Sequence, residues 1–62
     1  MFVKVRFKNG EVKGVLIVSP KSFENACKIV FQNYKQPIIS IKEINGLEYN
    51  KLADEHIQLV GE

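Results

Sequence analysis

Few side chains in this sequence could do covalent or acid–base chemistry: one cysteine, Cys27, one histidine, His56, and scattered carboxylates. His56 follows Asp54 and Glu55 directly. Neighbours in a helix point in different directions and do not converge on one ion. A zinc site draws about four ligands from Cys, His and carboxylates, so no metal site is assigned. A single histidine without placed partners is weak ground for general acid–base work. Cys27 falls on the apolar side of an expected helix, where cysteine behaves as a small hydrophobe, and no sequence neighbour would lower its pKa. A Cys–His pair would need an exposed nucleophile, against that placement. Gly10, Gly14, Gly46 and Gly61 build no phosphate-binding loop. The chain is therefore expected to be non-enzymatic, with no catalytic residue, no metal and no cofactor.

The 62 residues amount to one domain, 1–62. A domain this short buries only about 60% of the surface its unfolded chain exposes. A partner, or a second copy, that hides apolar surface would help it. With 45% hydrophobic and 26% charged residues the balance is globular. A single cysteine allows no intrachain disulfide, which points to a reducing, cytoplasmic setting. Lys4, Arg6 and Lys8 break up the first segment, so it does not read as a secretory signal. No apolar run approaches the roughly 20 residues of a membrane span. The net charge of +2 permits nucleic-acid contact without arguing for it.

Val3, Val5 and Phe7 alternate with Lys4, Arg6 and Lys8, the period of a half-buried strand. Asn9-Gly10 suits a tight type I′ turn, and the second strand is expected from Glu11 to Val18. A two-residue turn would set Lys8 opposite Glu11 and Phe7 opposite Val12. One face would then carry Val3, Val5, Phe7, Val12, Leu16 and Val18. The other would carry Phe2, Lys4, Arg6, Lys8, Lys13, Val15 and Ile17.

A helix is expected over 19–35, with Ser19 as N-cap, Pro20 at the first helical position and Pro37 as terminator. Phe23, Ala26, Cys27, Val30, Phe31 and Tyr34 would form its apolar face. Residues 38–44 read as a third strand. A right-handed crossover would place it beside the first strand and parallel to the second. The expected fold is α+β: a two-layer ββαβ domain with a three-stranded sheet, order 2-1-3, and one helix on the face of Val3, Val5 and Phe7. The last segment has two readings. Leu47 and Tyr49 suit a fourth strand, whereas Leu52, Ala53, His56, Ile57 and Val60 suit a short helix capped by Asn50.

Two functional readings attach to the sheet face away from the helix. In the first, Phe2, Val15 and Ile17 form an apolar patch for a partner protein or a second copy, with Lys42 on the edge of the third strand. In the alternative, Lys4, Arg6, Lys8 and Lys13 track the phosphates of a nucleic acid while Phe2 stacks on a base. A third course is internal: the tail, through Leu47, Leu52 and Ile57, folds across that face and hides it.

The Lys-Asn-Gly hairpin, the Ser-Pro-led segment with Phe23 and Ala26, and the Ile-Ser-Ile-Lys-Glu-Ile strand together cover residues 1–44. This succession resembles many short reading frames of phages and mobile elements. It defines no family and carries over no functional residue. The expectation it supports is a small regulatory protein that binds and modulates, or inhibits, a partner.

Overall fold

Six elements follow one another in the computed structural model, which describes residues 1–52 and 57–60. They are β1 (Phe2–Phe7), β2 (Val12–Val18), α1 (Phe23–Asn33), β3 (Ile38–Ile44), α2 (Gly46–Leu52) and β4 (Ile57–Val60). The strands form one mixed sheet in the order β3-β1-β2-β4. The fold is α+β as expected, but the sheet has four strands and not three. The order 2-1-3 survives inside it: β1 pairs antiparallel with both β2 and β3. The added strand, β4, lies parallel to β2 on that strand's other side. The tail supplies a helix and a strand in succession, with the expected residues exchanged: Leu47 and Tyr49, suited to a strand, lie in α2, and Ile57 and Val60, suited to a helix, lie in β4.

The hairpin register is one residue away from the expected one. Val3 faces Val15, Val5 faces Lys13 and Arg6 faces Val12. The cause is the turn. Phe7 N–H donates to the Glu11 carbonyl at 2.8 Å and Gly10 N–H to the Phe7 carbonyl at 3.1 Å, closing a three-residue loop, Lys8-Asn9-Gly10. Gly10 ends it at φ 92°, the left-handed conformation that such loops require and glycine supplies. The Asn9 carboxamide oxygen accepts from Glu11 N–H at 2.9 Å and holds the loop closed.

Because side chains alternate along a strand, one step of slip exchanges the two faces of β2. Val15 and Ile17 therefore enter the core with Val3, Val5 and Phe7, all fully buried. Ala26, Ile29 and Val30 of α1 close this core from above. Burying each Val, Ile or Phe side chain of this core stabilises the fold by about 1.5–3 kcal/mol.

Helix α1 starts later than expected. Ser22, not Ser19, is the N-cap, and its hydroxyl oxygen accepts from Asn25 N–H at 3.1 Å. Ser19 instead takes φ 54°, and Pro20 lies outside the helix. The inward face is Ala26, Ile29 and Val30, while Phe23 and Phe31 remain exposed. On the opposite side of the sheet, α2 begins after Asn45, whose side-chain oxygen accepts from Glu48 N–H at 2.8 Å. The expected cap, Asn50, lies inside this helix.

Candidate functional site

The surface expected to meet a partner is occupied by the chain itself. Tyr49 of α2 is buried against β1 and β2, and its ring centroid lies 4.7 Å from that of Phe2. Gly14 provides the room. A Cβ at that position would come within 3.3 Å of Leu52 Cβ and of the Tyr49 ring and carbonyl oxygen. Of the residues expected to carry the tail across this face, Leu52 does so, together with Tyr49, whereas Leu47 is exposed and the Ile57 side chain lies outside the described ones. Phe2 is half-buried beneath Tyr49, and Val15 and Ile17 face the other way, under α1. The patch of Phe2, Val15 and Ile17 is thus corrected: the register separates its members.

The four cations of the alternative reading are separated too. Lys13 lies opposite Val5, on the α1 side of the sheet. Its Nζ sits 5.9 Å from the Phe7 ring centroid and 5.8 Å from that of Tyr34, and 3.8 Å from Glu11. Phe7 and Tyr34 meet edge to face at 5.4 Å. Burial pushes the Tyr34 phenol pKa up. Lys4 and Arg6 stay on the α2 side, where Lys4 Nζ is 3.8 Å from a Glu48 carboxylate oxygen. Lys8 sits in the exposed hairpin loop.

Two surface features were not visible as a unit in the sequence. The first is strand β3, seven residues long, with β1 on one side and no strand on the other among the described residues. Ile38 and Ile41 pack against the core from this strand. The pairing with β1 is irregular where Arg6 faces Ser40 and Phe7 faces Ile38, which leaves Ile39 as an extra residue. Ile39 is 62% exposed. Bulges of this kind are common at sheet edges.

The second feature is one flank of α1. Phe23, Cys27 and Phe31 recur every four residues, so they line one side of the helix. The other side forms a groove of about 300 Å³ with the β4 edge, lined by Asn25, Lys28, Ile29, Gln32, Asn33 and Val60. The aromatic flank therefore faces away from β4, towards β3. Phe31 is 58% exposed and Phe23 40%. Helical periodicity had assigned both to the core. An exposed strand edge bordered by exposed Phe31 and Ile39 can accept an extended chain, through backbone hydrogen bonds along the edge and apolar contacts beside it.

Lys42 is the one member of the expected partner-binding set that lies on this edge, directly opposite Lys4 of β1. Cys27 is partly buried, and its thiol pKa is raised by burial and, secondarily, by the Glu24 carboxylate. His56, Asp54 and Glu55 lie outside the described residues. Among the described residues no three His, Cys, Asp or Glu side chains gather as metal ligands, and no helix is long and apolar enough to cross a membrane. No protein-family model matches the chain, and no curated protein and no solved structure matches it.

Proposed function

We propose that this protein is a non-enzymatic interaction module that binds and modulates, or inhibits, a partner protein by adding a strand of that partner to the outer edge of β3. One observation carries the reading: among the described residues no strand pairs with the outer edge of β3, a strand that exposes Ile39 and lies on the side of α1 that exposes Phe31. Strand addition uses the backbone for affinity and the flanking side chains for selectivity. An edge left open is otherwise a liability that charged residues such as Lys42 and Glu43 help to guard. A small core adds a reason for a partner, because further apolar burial stabilises a domain of this size.

Selection from a displayed peptide library tests the proposal. The wild-type domain is expected to enrich extended segments, and the variant carrying Phe31→Glu and Ile39→Lys is expected to lose them. Both positions are exposed, so the variant keeps the fold, which circular dichroism checks. Equal enrichment by the two domains would refute docking at this edge. A sizing column with light scattering identifies a second copy as the occupant if the wild type is dimeric and the variant monomeric.

Nucleic-acid binding is the weaker reading. The geometry divides its four cations between the two sides of the sheet and the hairpin loop, and Phe2 is packed on Tyr49. Its mark would be an affinity that falls steeply as salt rises.

A further inference from the structure

The register of β1 with β3 places Lys4 directly opposite Lys42, and Arg6 two residues further along the same face. Side chains at directly opposed positions approach to about 4.5–5.5 Å between Cβ atoms, and like charges there are destabilising. Glu48 offsets one of the three cations, through Lys4 at 3.8 Å. Arg6 and Lys42 have no carboxylate within ion-pair distance among the described residues. Three cations less one carboxylate leave a local charge of +2 on this face, reaching the open edge at Lys42.

The two faces of the edge therefore differ. On the α2 side the edge presents Lys42, with Lys4 and Arg6 behind it. On the α1 side it presents Ile41, next to the flank that exposes Phe31, and beyond Ile41 the exposed Glu43, whose own negative charge disfavours a carboxylate on that side. A strand laid along β3 would alternate its side chains between these two environments. We infer that the segment received at the β3 edge is an acidic one, in which carboxylates at alternate positions face Lys42, Lys4 and Arg6 while apolar residues between them face Ile41 and Phe31. A second copy fits less well. Its own Lys42 would come to the same face and add positive charge where negative charge is needed.

This inference rests on the docking reading above, and the experiment separates the two. The probes are blocked octapeptides of alternating Val-Glu and alternating Val-Gln, and a single-stranded oligonucleotide. Each is titrated into the isotope-labelled full chain while amide shifts are followed. The Val-Glu peptide is expected to shift β3 amides and to bind at least roughly tenfold tighter than Val-Gln at low salt. That preference should shrink at high salt, because exposed charges are screened within about 3 Å at 1 M. Lys42→Glu, which brings the local charge of +2 to zero, should abolish it while leaving the fold intact. Equal affinity for the two peptides overturns the acidic assignment and leaves edge docking standing. Failure of both peptides to shift β3 overturns docking itself. Oligonucleotide binding that Lys42→Glu abolishes, with no peptide response, overturns both in favour of nucleic acid.

Discussion

Gly14 lies directly beneath Tyr49, and a Cβ added there would stand 3.3 Å from both the ring and the backbone carbonyl of that tyrosine. The contact is tighter than ordinary packing, and one of its atoms belongs to a helix backbone that cannot rotate away. Gly14→Ala is expected to lower stability by roughly 1 kcal/mol and Gly14→Val by roughly 2–3 kcal/mol, the range for overpacked sites. Urea denaturation midpoints measure this. A Gly14→Val variant as stable as wild type would contradict the close seat of α2 on β2.

The hairpin register can be tested through Ile17. In the observed pairing Ile17 is fully buried under α1. Ile17→Ala is then expected to cost about 2–5 kcal/mol, as for other large-to-small core changes. In the alternative register Ile17 would lie on the other face of the sheet, away from α1. A loss within roughly 0.5 kcal/mol, typical of surface positions, would sink the observed pairing.

The helix start makes a second pair of expectations. Ser22→Ala removes the cap of α1 and should cost about 1 kcal/mol. Ser19→Gly should instead leave stability unchanged or raise it by up to about 1 kcal/mol, because a left-handed backbone suits glycine better than serine. Thermal denaturation of the two variants decides the matter, and the reverse ranking would restore Ser19 as the cap.

Cys27 and Tyr34 both hold their protons more firmly in the fold than their ordinary values of 9.0 and 10.0. Between the ordinary and the raised value the unfolded chain binds fewer protons, so stability falls as pH rises. Their contribution is complete below about pH 9 and declines above it. Cys27→Ala should flatten the decline, as followed by urea titrations at pH 7 to 11. At pH 7 the folded thiol should react with iodoacetamide more slowly than in the urea-unfolded chain. Equal rates would argue against a partly buried, protonated thiol.

Much of the scaffold was legible because its signals were local. The alternation from Phe2 to Phe7 marks β1, and the β-branched run at Ile38–Ile44 marks β3 beside it. The register was not legible, since Val15, Leu16, Ile17 and Val18 are all apolar and fit either phase of alternation. A two-residue and a three-residue turn are both compatible with Asn9-Gly10, and that choice decides which face Ile17 takes. Gly14 was a usable clue: a strand glycine marks close backbone approach, here by α2. The exposed edge and the Phe31 flank depend on how α1 is rotated over the sheet. Periodicity fixed that rotation only to within about one residue, enough to bury Phe31 wrongly and to omit Ile29.

Amide hydrogen exchange on the domain, free and saturated with a segment selected from the displayed library, tests edge docking most directly. Outward amides of Ile38–Ile44 should exchange quickly in the free protein and become protected at alternate positions on binding, with β4 unchanged. Protection that appears along Ile57–Val60 instead, or nowhere in the sheet, would contradict strand addition at β3.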